Sequence, residues 1–433
     1  GSSTLTFKVS DGISFGSGTT QFSLTFGPDW SATPTETKIV ASDALAGDVF
    51  GDKVSLSADG NYAIVGAQYG DAGATTNTGA AYIYLRSGST WTQQAKITAS
   101  NAGASDQFGK GAVSLSSDGT YAMVGAKTED SYAGNAGKVY VFTRSSTSWS
   151  EQTNFSASDA SSSANFGNSV SLNSDATYAI IGASGDDASG YSGGGAAYIF
   201  TRSGSTWTQQ TKLTASDIAV SLYFGHAVSI SDDGSYAIIG AYGDSTNGTS
   251  SGAVYIFSRS GSTWTQQQKI VSNDPSTSNP YFGYDVGMNS DGSYAVVSKY
   301  SDNSNTGAAY VFTRSGSTWT QQAKLTASDA AAGDRFAFSV SISRNASYIL
   351  AGAIGDYNIT QNVGEAYIFT RSGSTWTQQT KLTASDGQNY DNFGWSVSMS
   401  DDGAYALISA HREDGGSGDP KADAGAAYIY EAG

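Results

Sequence analysis

The chain has 433 residues, of which 39% are apolar and 12% aromatic, enough for a packed core, while only 14% are charged. Its net charge of −16 argues against a nucleic-acid partner, which needs a basic footprint, and against docking on anionic lipid. There is no cysteine and so no disulfide framework, and no apolar run approaches the roughly 18 residues of a membrane span.

In chain order, residues 1–29 come first. "TLTFKVSDG" and "TTQFSLTFGP" read as two alternating strands, the expected last hairpin of an immunoglobulin-like or cadherin-like domain in a longer, modular protein. From Trp30 onward a repeat takes over. The string "AYIFTRSGSTWTQQTKLTASD" stands at 197–217 and again, letter for letter, at 366–386. Four signatures recur seven times in fixed order. One is a Trp opening a polar strand (Trp30, Trp91, Trp149, Trp207, Trp264, Trp319, Trp376). The others are Phe-Gly with Phe336-Ala337 as its degenerate form, a Tyr-led apolar run such as "YAIIGA", and "AYIF" or a near variant.

Each unit reads as four short strands. "SVSIS" after Phe-Gly alternates small polar with apolar residues, and "YAIIG" and "AYIF" are apolar on both faces, as strands sandwiched between sheets are. "WTQQTKLTA" is mostly polar, and its Lys suits an exposed outer edge. Seven such units predict an all-β, seven-bladed propeller over 30–433. The last unit stops at "AAYIYEAG" without an outer strand, so residues 30–40 are expected to supply it and close the ring.

Phe-Gly, the "IIGA" run and the "GAAYIF" strand resemble the FG-GAP repeat family. The resemblance implies the propeller of integrin α-subunit heads and of many bacterial and viral surface proteins. It also implies an extracellular, cell-surface or virion-surface setting. Many such repeats hold calcium in a D-x-D-x-D-G loop between the first two strands. Here that loop reads "SADGN" or "SDDGS", with too few oxygen ligands, so Asp-Gly turn formation is the expectation there.

The turns at one end of each blade are short, and the loops at the other are long and variable, so function is expected on the long-loop face. The residue directly after Phe-Gly is where the units disagree most: Asp52, Lys110, Asn168, His226, Tyr284, Phe338 and Trp395. It opens each innermost strand, so all seven should gather at the channel mouth. Tyr284, Phe338, Trp395, His226 and Lys110, with His411 from a long loop, are the candidate ligand-binding residues. Drift at a tolerant position is the bland alternative.

Two Asp-rich rings occupy the same end. One comprises Asp71, Asp130, Asp186, Asp244, Asp302, Asp356 and Asp414, and the other Asp43, Asn101, Asp159, Asp217, Asn273, Asp329 and Asp386. They read as turn caps or as cation sites; Ca2+ is the candidate ion for the second reading, and no cofactor is required by the first.

Catalysis finds little support, with two histidines in separate units and no H-E-x-x-H or Cys/His cluster. "GYSGG" at 190–194 matches a nucleophile elbow but sits in a Gly-rich loop with no helix after it. The expected function is non-enzymatic adhesion or recognition of a glycan or protein, by a monomeric propeller within a multidomain protein. A polysaccharide-acting enzyme with its site at the channel mouth is the alternative.

Overall fold

The computed structural model describes residues 27–71, 76–274, 279–355, 363–414 and 422–433. The expected N-terminal hairpin lies outside these residues, except for its last few positions. Seven four-stranded antiparallel sheets form the blades of a propeller, six of them running from an inner to an outer strand in chain order. In blade 3 these strands are Phe166–Leu172, Tyr178–Ala183, Ala196–Ser203 and Thr206–Leu213. The second strand is buried on both faces beyond its leading Tyr, because blades pack against it from either side. The outer strand is half-buried, with only its final Leu213 fully covered.

Blade 7 takes its outer strand from the other end of the chain. Thr35–Ile39 pairs antiparallel with Ala426–Glu431, Thr35 opposite Glu431 and Ile39 opposite Ala427. The closure is as expected, but Trp30 does not open that strand: it lies in a turn five residues earlier. Its indole is 1% exposed and its Nε1 donates to the Gly403 carbonyl at 2.8 Å. In the other blades an Arg makes that bond, as when Arg202 Nε donates to the Ala176 carbonyl at 2.7 Å. Blade 7 has Ala432 at the Arg position, and Trp30 satisfies the carbonyl instead.

The repeated motifs are explained by how one blade meets the next. Phe166 N donates to the Ala136 carbonyl at 2.9 Å, so the start of blade 3 lies directly on the third strand of blade 2. A Cβ on Gly137 (φ +86°) would stand 2.1 Å from the Phe166 carbonyl oxygen. The glycine is needed for that close approach as well as for its φ. The "SVSIS" alternation has a second cause. Inner strands are sheet edges with free N–H groups. Ser hydroxyls of one blade accept them from the next: Leu115 N donates to Ser55 Oγ at 3.2 Å, and Leu172 N to Ser114 Oγ at 3.1 Å.

At the tight-turn end, backbone N–H groups pass around a closed ring, from Ala58 to Ser117, Ser174, Asp232, Ser290, Arg344, Asp401 and back to Ala58. Arg344 bridges Asp232 and Asp401 at 2.8 and 3.2 Å beside it. Backbone groups alone make this ring, so Ala, Ser, Asp and Arg side chains all serve at the position.

Candidate binding site at the channel mouth

The entry to each inner strand aims one side chain at the axis. The residue before Phe is left-handed in every blade, with φ from 52° at Arg335 to 58° at Val49. That conformation costs a non-glycine residue about 1–3 kcal/mol, and its recurrence marks it as part of the entry turn. Phe then enters the core; Phe166 is fully buried, edge-on to Tyr198 at 5.5 Å. Pairing with the second strand shifts register between Phe166 and Ser169. Such a bulge re-aims the residues within it, here Asn168. The same shift recurs at Phe50/Val54, Phe108/Val113, Phe336/Val340 and Phe393/Val397.

As a result Asp52, Lys110, Asn168, His226, Tyr284, Phe338 and Trp395 line one cavity of about 260 Å³. The structure brings together every residue the sequence assigned to the mouth, and it sorts them. On blades 4–7 the rings form a continuous arc: His226–Tyr284 at 4.7 Å, Tyr284–Phe338 at 5.3 Å, Phe338–Trp395 at 4.8 Å and Trp395–His411 at 3.9 Å. On blades 1–3 stand Asp52, Lys53, Lys110, Lys127 and Asn168.

Electrostatics differ along the wall. Burial, with nearby cationic side chains, pushes His226 and His411 down to about 3, so both are neutral at physiological pH. Burial and the neighbouring Lys110 push Lys127 down to about 8. Burial raises the Asp52 carboxyl, and the adjacent lysines and a hydrogen bond with Trp395 only partly offset it. Burial also raises Asp285, although its carboxylate accepts from Val286 N at 2.9 Å and Val340 N at 2.8 Å.

A second circle was not read from the sequence. The residue following the last position of each second strand is Gln68, Lys127, Ser184, Tyr242, Tyr300, Ile354 or His411. Tyr242 packs on His226 at 4.6 Å and Tyr300 on Tyr284 at 4.6 Å, so these extend the aromatic arc. The signal was available, since the position varies between otherwise uniform units. Only His411 was singled out, and for its loop rather than its register.

Where the carboxylates of the Asp rings form ion pairs, their partner is a lysine ammonium. In blade 3, Lys212 Nζ lies 2.7 Å from Asp159 and 2.9 Å from Asp186, and the Tyr198 hydroxyl is 2.9 and 2.8 Å from the same carboxylates. Lys269 joins Asp217 and Asp244 in the same way. Burial alone would lower the Lys212 ammonium, but its two carboxylate hydrogen bonds outweigh that and raise it. Burial would raise Asp159, yet Lys212 and Tyr198 hold it below its ordinary value.

Ring members differ from blade to blade. In blades 2 and 7 the paired carboxylate is Glu129 or Glu413, not Asp130 or Asp414. Asp130 is exposed, while Asp414 and Asp71 accept the backbone N–H of Asp423 and Asn77 in turns. In blade 5 the crossing-loop partner is Asp274 rather than Asn273, and Lys324 joins it to Asp302. Asp43 and Asp329 pair with Lys96 and Lys381, and Asp386 with Lys38. Blade 2 lacks the outer-strand Lys, and there Asn101 bonds Glu129 and the Tyr140 hydroxyl. Asp356 lies outside the described residues. Among those described, no group of three or more His, Asp or Glu side chains could hold a metal ion. In the tight turns, Asp59 accepts from Asn61 N at 2.9 Å and Ser57 Oγ at 2.6 Å, which is turn formation as expected.

No helix among the described residues is long and apolar enough to cross a membrane. Comparison with curated proteins returns no match. The FG-GAP repeat model matches seven times, over residues 34–84, 91–142, 149–200, 207–257, 264–312, 319–369 and 376–430. With one match for every blade and the Phe-Gly junctions accounted for, the chain belongs to the FG-GAP repeat family.

Proposed function

We propose that this propeller is a non-enzymatic recognition module of a cell-surface or virion-surface protein, binding a glycan at the mouth of its channel. One observation carries the reading. At a single register position, the otherwise uniform blades place seven different side chains around one cavity, with the aromatic ones contiguous. Aromatic faces offer apolar stacking surface beside polar tips, and a concave site needs that mixture. The bland alternative, drift at a tolerant position, does not account for rings adjacent on four successive blades.

A polysaccharide-acting enzyme has one observation in its favour, the buried Asp52 carboxyl beside Trp395 with its raised pKa. Glycoside cleavage needs a second free carboxylate, and the Asp285 oxygens are engaged by backbone N–H groups. A glycan array probed with the intact chain, followed by size analysis of each retained glycan, separates the readings. Retention with unchanged length is expected. Shortened glycan would make the protein an enzyme, and the absence of any retained glycan would move the reading to protein adhesion.

A further inference from the structure

Among the described residues, most lysines are paired with a carboxylate. Lys38, Lys96, Lys138, Lys212, Lys269, Lys299, Lys324 and Lys381 each form a salt bridge with Asp or Glu. Among the described residues three lysines have no carboxylate at that distance: Lys53, Lys110 and Lys127. All three line the channel cavity. Lys127 Nζ has only the Asn168 amide oxygen, at 3.2 Å.

This is an unusual place to leave cations unpaired. The chain carries a net charge of −16, with 38 acidic against 22 basic residues, so carboxylates were available for pairing. A buried or half-buried ammonium is costly unless compensated. Like charges set close together add to that cost, and Lys127 and Lys110 are near enough to repel, which with burial depresses Lys127. The cavity's own carboxylates do not cancel the charge. Asp285 is engaged by backbone N–H groups, and even with Asp52 and Asp285 both ionised the three ammoniums leave the cavity net positive.

A ligand anion would supply the missing partner. Across the cavity stand Tyr284, Phe338 and Trp395, and beside Trp395 the buried His411 leaves its Nδ1 without a hydrogen-bond partner. An uncharged sugar would use the rings and ignore the lysines, while inorganic phosphate would use the lysines and ignore the rings. The cavity of about 260 Å³ is small against the about 300–1,000 Å³ of ordinary ligand pockets, so it suits one unit of a longer chain.

We propose that the channel mouth takes an acidic saccharide unit, a sugar ring bearing a carboxylate, with the ring against Tyr284, Phe338 and Trp395 and the acid group toward Lys53, Lys110 and Lys127. This rests on the glycan reading above and narrows it to a ligand class.

The test is calorimetric titration of the intact chain with matched pairs: trigalacturonic acid against its methyl ester, sialyllactose against lactose, and a short Asp/Glu peptide as a separate arm. At least one acid saccharide is expected to bind about tenfold or more tighter than its neutral counterpart. Lys110→Met, and separately Lys127→Met, should erase that preference, while Trp395→Ala weakens the acid and neutral members alike. Unchanged melting temperatures control for folding. Equal affinity for acid and neutral members, lost in Trp395→Ala but untouched by either lysine variant, would overturn this inference and leave the glycan site standing. Binding of the acidic peptide alone would overturn both, and so would the absence of saccharide binding to any probe.

Discussion

On the long-loop face the chain repeats two sets of polar positions around the ring and treats them in opposite ways. At the periphery an ammonium, a tyrosine hydroxyl and paired carboxylates recur in blades 3 and 4 with little change, and closely related sets serve blades 5, 6 and 7. When one member changes, another moves in. Blade 2 has Asn154 in place of the outer-strand Lys, and Lys138 reaches Glu129 from the third strand. Blade 6 recruits Glu365 from that same strand position. At the channel mouth no such repair occurs: units differ freely, Lys53, Lys110 and Lys127 stay without a salt bridge, and rings cluster on one side. Compensated positions are scaffold. Positions that vary without compensation, on a scaffold that does not vary, are where selection for a ligand can act.

The scaffold side of this contrast is the easier to break. Deleting residues 1–26 should leave thermal unfolding unchanged. Deleting through Val40 removes Trp30 and the partner of Ala426–Glu431, exposing an otherwise buried strand. Cooperative unfolding should be lost in the second truncation alone, and equal melts for the two would refute the clasp. Gly137→Ala comes next, because its methyl group would meet the Phe166 carbonyl at a junction between two blades. A loss of more than about 3 kcal/mol in denaturant titration is expected.

Lys212→Met sharpens the peripheral half. It leaves Asp159 facing Asp186, whose side chain is 4% exposed, and should cost about 1–3 kcal/mol. The pH dependence has a definite sign. Asp159 lies below its ordinary value of 3.8 when folded, so its contribution is present above that value and lost as pH falls through the lower, folded pKa. Lys212 is raised above 10.5, so its contribution is present below that value and lost as pH climbs through the higher, folded pKa. In the variant, the Asp159 share of the acid limb should flatten. The smallest effect expected is that of a calcium chelator on the melting temperature, since lysine ammonium groups already pair with most of the described ring carboxylates. A drop of many degrees would put metal back among the structural components.

Much of this was legible in the sequence, for physical reasons. Six copies of Phe-Gly and one Phe-Ala, with "AYIF" or a near variant in every unit, impose seven equivalent junctions, so blade number, strand order and the gathering of Tyr284, Phe338 and Trp395 follow from register. Trp30 misleads because a Trp is the second residue of every other outer strand; its indole replaces the missing Arg of blade 7, a substitution only visible in three dimensions. Glu129 and Glu413 do not stand out in the sequence, because the adjacent Asp130 and Asp414 complete a pattern of aspartates. The loop geometry selects a position one residue earlier, and either acid serves there. The pairing of Lys with these carboxylates bridges an outer strand and two loops, so no local string reveals it. Tyr242 and Tyr300 were hidden at the start of variable loops, where their regular spacing is easily mistaken for loop composition.

The central claim is that the aromatic arc at the channel mouth is what a ligand meets. It is tested most directly by probing one glycan array in parallel with the wild-type chain and with the Tyr284→Ala/Trp395→Ala double variant, after confirming equal melting temperatures. The account predicts that the wild type retains a defined subset of glycans and that the double variant loses it. The same retained subset in both proteins would contradict it.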